Sequence, residues 1–287
     1  MGRCTVSDIA RVVLDSRHFN GGRLTTMELK IPTCVLAQFN THRMFSRNAG
    51  SQRAIPTKRI LAAVKADPYI PEFLENQKGM QGGAPIAAQR LATVVWLFAM
   101  RVACFFAGGL ARLGCHKQVV NRLVSPWSYT KVVVTGTDEA WANFLALRAD
   151  EHADPAIARV AYVAAHALAN SNPQPLHLGE WHLPYILAGD GHTRERIITS
   201  VARCARVSYA TFDNPERTST LAEDQDLYEK LLESEPKHAS PAEHQACAVI
   251  GADQGGNFGS GWMQYRKTLP NECRSDLTAE LKRLGYP

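Results

Sequence analysis

The sequence contains no Cys-x-x-Cys pair, no Gly-x-Gly-x-x-Gly and no Gly-x-x-x-x-Gly-Lys-Ser/Thr, although it has 20 glycines and seven cysteines. An odd, scattered set of thiols excludes a disulfide framework and a structural zinc site, so no metal is expected and a reducing, cytoplasmic setting fits. Missing glycine fingerprints argue against a separate dinucleotide or ATP-binding domain. There is no run of one charge either. Lys and Arg outnumber Asp and Glu by 32 to 27 and are spread along the chain, a balance suited to a few phosphates and not to coating a nucleic acid. The N-terminus MGRCTVSDIARVVLDS has no apolar core with a small-residue cleavage site, so no secretory signal is expected. Met1-Gly2 is followed by Ser7, one place beyond the position a myristoylation signal needs. The longest apolar stretch, from Leu91 to Gly114, is broken by Arg101 and Gly108-Gly109. It reads as a buried helix with a close approach or a break at the glycines, and no membrane association is expected. Internal repeats and low-complexity segments are also lacking.

What remains is an ordinary globular composition, 45% hydrophobic and 21% charged, long enough for one large core. Arg11 to Ser16 and Arg23 to Lys30 read as strands joined by the turn-forming Asn20-Gly21-Gly22, the second alternating Leu24, Thr26 and Glu28 with Thr25, Met27 and Leu29. Pro32 suits a first helical position, and Val35, Phe39 and His42 recur at helical spacing, so QFNTHR is expected on the last turns of a helix. Arg59 to Gly83 reads as an exposed excursion. Helices are expected over Pro85 to Leu113 and from Asp138 to at least Asp154-Pro155, with a strand, YTKVVVT, between them. SNPQPLHLGEWHLPY reads as a connector. Beyond it, Ile197 to Tyr209 is partly helical or extended, Asp224 to Leu232 helical, and GADQGGNFGSG a glycine-rich tail segment.

Chemistry concentrates in Gln38 to Arg53, QFNTHRMFSRNAGSQR. His42, Arg43, Arg47 and Arg53 stand there among Ser46, Asn48, Ser51 and Gln52, a density of donors suited to phosphate and to the carbonyl edges of a base or flavin. On composition alone a solvated basic loop fits as well as an anion site. The segment resembles the signature of flavin-dependent thymidylate synthases, RHRxxSxNExSxRY: His42, Arg43, Ser46, Asn48, Ser51 and Arg53 fall in register, and Gln38 has its counterpart upstream. A second window, NRLVSPWSYTK and NFLALRADEHA, is similar to the family's paired segments. A third, CARVSY (Cys204 to Tyr209) and HASPAEH (His238 to His244), looks like the strand and helix start that ordinarily precede the signature, yet here follows everything else. The order resembles a circular permutation, tolerable where natural termini lie close together. Thr41, Ala49 and Ala54 replace the family's Arg, Glu and Tyr, and Arg47 and Lys58 are nearby candidates to compensate.

The resemblance implies an α+β fold, a flavin-dependent thymidylate synthase-like mixed or antiparallel sheet with long helices in permuted order. It implies one domain over 1–287, with 1–170 bearing the signatures, 171–195 connecting, and 196–287 completing the same domain. It implies conversion of dUMP to dTMP with FAD as cofactor and NADPH and methylenetetrahydrofolate as co-substrates, in a homotetramer with shared active sites. By the same resemblance Arg148 is catalytic, answering negative charge on the pyrimidine. Gln38, Ser51, Gln52, Arg53, Arg122 and Arg148 bind the nucleotide. Thr41, His42, Arg43, Asn143, Leu147, His152, Ser240 and Glu243 bind the flavin. Helical spacing puts Asn143, Leu147, Arg148 and His152 on one face. Ser240 and Pro241 suit an N-cap and first position whose free N–H groups would meet a flavin phosphate or ring oxygen. Cys34 and Cys115 read as buried, inert thiols. A dCMP substrate or a hydroxymethyl product keeps the chemistry and changes the pocket. A non-catalytic nucleic-acid-binding module using Trp262 and Tyr265 is the alternative of another class.

Overall fold

The computed structural model describes residues 9–286 apart from 80, 212–213, 215, 252–255 and 274–275. Met1-Gly2 and Ser7, and the middle of the glycine-rich tail segment, therefore lie outside the described residues. Strands β1 (Ala10–His18) and β2 (Arg23–Pro32) form the expected antiparallel hairpin. Strand β3 is Ser46–Ala49 and β4 is Tyr129–Thr137, and the short β5 (Gln174–Leu176) pairs parallel to β1. The result is a mixed five-stranded sheet in the order β3-β4-β2-β1-β5. A second sheet of three short antiparallel strands comprises β6 (Trp181–His182), β7 (Ala246–Ala248) and β8 (Trp262–Gln264). The segment expected as a bare connector thus supplies a strand to each sheet, and the architecture is α+β.

Both faces of the large sheet are covered, which is why β2 alternates without exposing either set. Met27, Leu29 and Ile31 join Val132, Val134, Phe39, Phe45 and Phe144 in the largest core cluster. Helices α5 (Asp138–Arg148) and α6 (Pro155–Ala169) close that side. Leu24, Thr26 and Glu28 point the other way, toward the C-terminal third. There α7 (Thr193–Arg206) lays Cys204 beside Val133, and α8 (Leu221–Leu232) packs on α7. A line of buried polar contacts crosses this second face. Ser16 Oγ meets His182 Nδ1 at 2.8 Å, His182 Nε2 meets Thr26 Oγ1 at 2.7 Å, Thr26 meets Thr135 at 2.6 Å, and Thr135 Oγ1 meets His244 Nδ1 at 2.9 Å.

Three expectations about helices are corrected. After a 3-10 turn at Thr33–Val35, helix α1 spans only Leu36–Phe39. Pro32 ends β2 instead of opening a helix, because it is still paired opposite Tyr129. Helix α5 stops at Arg148: Asp154 accepts from Ala156 N–H as the N-cap of α6 and Pro155 is its first residue, a start signal that ends any continuation. The third concerns α3 (Gln89–Arg112), which follows α2 (Thr57–Ala66) and precedes the single turn α4 (Lys117–Val120). It runs unbroken through Gly108-Gly109, and nothing lies within 4 Å of where a Cβ would stand at either glycine.

Nor is α3 buried. Met100, Cys104 and Ala107 face Ile60, Val64 and Trp127, while Leu91, Val94, Val95, Phe98, Phe105 and Phe106 on the other side are each at least 60% exposed. A helix that is apolar all round gives periodicity no preferred face to report. By length and composition it is long and apolar enough to cross a membrane, with 17% of its most apolar window buried.

Candidate functional site

The signature occupies the edge of the large sheet, and β3 sorts its side chains by alternation. Arg47 turns back toward the first core and donates to the carbonyl of His42. Ser46 and Asn48 point to the opposite face. Ser46 Oγ accepts from Gln264 at 2.9 Å and Asn257 at 3.2 Å. Asn48 Nδ2 donates to the carbonyls of Cys204 at 2.9 Å and Ala205 at 3.2 Å. Two residues of the signature thereby fasten the C-terminal third to the sheet. CARVSY, expected as a strand, is the last turn of α7. It ends at Val207, whose φ of 52° and bonds back to the helix carbonyls form a left-handed cap. Asn48→Ala is expected to destabilise the fold by about 1–3 kcal/mol, since it leaves carbonyls of that turn short of a partner; urea unfolding measures it, and an unchanged midpoint refutes the coupling.

The chemical centre of the edge is His42. Arg148, the last residue of α5, donates from Nε to His42 Nε2 at 3.0 Å. His42 Nε2 is therefore an acceptor, which places the ring proton on Nδ1. Burial, with Arg148 and Arg47 beside it, lowers the His42 pKa to about 4. Phe144 meets the ring edge-on at 5.0 Å, and Phe39 and Phe45 flank it. The imidazole is thus neutral and fixed, and it holds Arg148 in turn. Gln38 donates to Asp154 at 3.3 Å, and its Oε1 is buried without a partner. Thr41 donates its hydroxyl to the Gln38 carbonyl at 2.7 Å, closing α1, so it caps a helix where the family pattern has a guanidinium.

From Arg47 the polar edge continues to the C-terminal third. Glu243 is drawn electrostatically to Arg47 and ion-paired to Arg266, which also holds Glu272. Burial pushes the Glu243 carboxyl up against these cations. Ser240 opens a single 3-10 turn, Ser240–Glu243, whose N-cap is Ala239. The expected Ser240 cap is not made, because the turn is too short and its side chain bonds nothing there. Arg43, Asn143 and Leu147 are exposed around His42. His152 is also exposed and lies outside α5, near Glu151, so it does not continue the helical face of Arg148.

Ser51, Gln52 and Arg53 form a turn on the far side of β3. Gln52 spends its amide on Ser128 at 2.9 Å and Ser125 at 3.0 Å, and its carbonyl accepts from Asn121 at 2.8 Å, so it holds the loop together and is not poised for a ligand. Arg53 and Arg122 are exposed. The structure brings together Gln38, Thr41, His42 and Arg148, and links them through Arg47 to Glu243. It leaves Ser51, Arg53 and Arg122 apart from that cluster within one chain. Ala49 packs on the first core and the Ala54 carbonyl accepts from Lys117 at 3.0 Å, while Arg47 stands nearest the Thr41 position. Sequence reasoning missed Arg266 and Glu272, which lie in no signature window. Cys34 and Cys115 are exposed, correcting the buried reading, and burial of the Cys34 sulfur together with Asp154 raises its pKa. Trp262 is buried and Tyr265 is tied by its hydroxyl to Tyr228 at 2.6 Å, so neither ring is offered to a base. Among the described residues no cluster of three or more His, Cys, Asp or Glu is arranged to hold a metal.

His182 and His244 are fully buried, and burial lowers each pKa to about 3. With His42 at about 4, the unfolded chain binds more protons than the folded one between the ordinary histidine value, about 6.5, and these depressed values, so stability rises with pH across that window. It is fully present above pH ~6.5 and lost as the pH falls toward 3. Chemical unfolding at pH 7, 5.5 and 4 is expected to show a declining midpoint; a flat profile contradicts the neutral histidines.

An α+β protein with a guanidinium–imidazole pair at a basic sheet edge is what the fold and the site define. A family model described as thymidylate synthase complementing protein matches residues 23–174, more than half of the chain, and the chain belongs to this family. Flavin-dependent thymidylate synthases are similar over the same length of chain. That of Mycobacterium leprae is 33% identical over 140 residues, 46% of this chain and 52% of the relative. That of Mycobacterium avium is 30% identical over 135 residues, again 46% and 52%. The chain spans about half the length of these curated relatives. Among solved structures, a UMP/dUMP methylase from Streptomyces cacaoi bound with 5-Br dUMP aligns over 51% of this chain and 67% of that one, at 18% identity and a TM-score of 0.43, too low to carry an argument.

Proposed function

We propose that the protein is a flavin-dependent thymidylate synthase, methylating dUMP to dTMP with methylenetetrahydrofolate and NADPH as co-substrates. The observation that carries this reading is the 3.0 Å bond from Arg148 to His42, which joins two signature windows 106 residues apart beside the unpartnered acceptor Gln38 Oε1. An acceptor without a donor fits a pyrimidine N–H or a ribose hydroxyl. Arg148, held by a neutral imidazole, keeps its terminal N–H groups for charge on the pyrimidine ring. Arg53, Arg122 and Ser51 hold the phosphate.

FAD is the cofactor the family implies, and it supplies the hydride when bound. The edge suits it. Exposed Met44 and Leu147 offer apolar surface for a ring, at 41% and 56% exposure. Thr41, His42, Arg43 and Asn143 surround them with polar groups, and Ser240, Glu243 and His152 extend the set. We read the chain as one domain with the family's order permuted: residues 196–264 pack against the signature through Asn48, Ser46 and Glu243 as a preceding segment would. The separation of Arg53 and Arg122 from Arg148 within one chain, with the uncovered face of α3, supports a homotetramer whose sites are shared between copies. Free thiols at Cys34, Cys104, Cys115, Cys204, Cys247 and Cys273 suit the cytoplasm.

Incubating the purified protein with dUMP or dCMP, methylenetetrahydrofolate and NADPH, and weighing the product, tests the proposal. dTMP from dUMP is expected. A methylated or hydroxymethylated cytidylate moves the specificity to the Ala49 and Ala54 replacements. No product, from a protein that takes up no flavin, overturns it.

A further inference from the structure

On the sheet face opposite His42 lies a cleft of about 550 Å³, within the size range of small-molecule sites. It opens between α2, the paired ends of β2 and β4, and residues 206–211. Of the residues the signatures single out, only Ser51 and Gln52 line it; Gln38, His42, Arg53, Arg122 and Arg148 do not.

Four cations, Lys30, Arg59, Lys131 and Arg206, line the cleft against one carboxylate, Asp67. Lys30 and Lys131 stand directly opposite each other across β2 and β4, a like-charged pairing that costs stability in a sheet. The surrounding structure tolerates it by outside support. Lys30 is held to Asp67 at 2.6 Å, Lys131 to Glu28 at 3.0 Å, and Arg206 to the buried Asp224. Glu28 and Asp224 stand behind the lining, so the cations are anchored from the rear. The opposite wall is apolar, built by Ile55, Ile60, Ala63, Val64 and Val207. Val207 is a β-branched residue at φ 52° and almost fully buried, a backbone conformation that is costly and concentrates at functional positions.

We propose that this cleft is a second ligand site, taking a small aromatic ring that carries two negative charges. The ring lies on the α2 wall and the dianion meets Lys30, Lys131 and Arg59. That chemistry occurs in a nucleoside monophosphate and in an aromatic amide of glutamate, the tail of a folate. The site is independent of the pyrimidine reading at Arg148, and the test separates the two.

Calorimetric titration of the full chain with dUMP and, separately, with p-aminobenzoyl-glutamate distinguishes the sources. At least one is expected to bind wild type and Arg148→Ala alike at the cleft, and to lose tenfold or more in affinity in Ala63→Trp, which fills the cleft from an exposed position on α2. Lys131→Gln, which leaves the wall unchanged, is expected to weaken the same probe and to lessen its salt dependence. Thermal melts check that both variants fold. Failure of both probes to bind Arg148→Ala, or binding that Ala63→Trp and Lys131→Gln leave unchanged, overturns the second site. Loss of catalysis in Arg148→Ala alone bears only on the pyrimidine reading.

Discussion

Arg148→Ala is expected to abolish methylation of dUMP while the protein still folds and still takes up FAD. Arg148 closes α5 at a half-exposed position, so truncation removes no core packing. What it removes is a guanidinium whose Nε is committed to His42 at 3.0 Å and whose remaining N–H groups face outward from the edge. Positioned donors aimed at developing charge are worth about 10²–10³ in rate, or roughly 3–4 kcal/mol. The loss should fall on the chemical step more than on binding, so kcat drops while KM for dUMP changes less. Arg148→Lys keeps a charge without the planar fork or the Nε donor and is expected to recover little. Single-turnover product analysis, with flavin absorbance as the occupancy control, makes the measurement. Full activity in Arg148→Ala sinks the assignment. Loss of the flavin together with activity redirects the residue to cofactor binding.

The second large effect concerns α3. Phe98→Glu with Phe105→Glu is expected to convert an oligomer into monomers and to extinguish activity at the same time. Leu91, Val94, Val95, Phe98, Phe105 and Phe106 form a continuous exposed face along a helix of 24 residues, about 36 Å long. Apolar patches beyond a few hundred Å² are rare on proteins that act alone. Two carboxylates there would be desolvated without partners on assembly, a cost of several kcal/mol that association does not recover. Their side chains already face away from Met100, Cys104 and Ala107, so the fold of one copy should survive. Light scattering and activity, read on the same samples, decide. A monomeric wild type, or one that partitions to lipid vesicles, removes the shared-site arrangement. An active monomeric variant shows that one chain suffices.

Some features were legible because they are local. The β1–β2 hairpin follows from alternation on either side of Asn20-Gly21-Gly22, β4 from its valine run, and α8 from the Thr220 capping box with Glu223. The proximity of His42 and Arg148 was legible only through the resemblance, since no rule of spacing connects positions so far apart. The end of α5 was written at Asp154-Pro155, a cap signal that competes with continued helical periodicity and wins. Other features depend on partners that periodicity does not name. The exposure of α3 is one, because apolar residues on all sides look the same whether covered or not.

The signature segment is where the two levels of information divide. By itself the sequence determined the donor-rich composition of Gln38 to Arg53, its family register, and the alternation that must send Ser46 and Asn48 one way and Arg47 the other. Tertiary structure alone decided what each direction meets. Asn48 meets the last turn of α7, Arg47 meets the His42 carbonyl and the field of Glu243, and Gln52 meets Ser125 and Ser128. Side-chain direction is a property of the backbone and travels with the sequence. The identity of the atom at the end of that direction is set by long-range packing, which here draws the C-terminal third against a strand more than 150 residues before it.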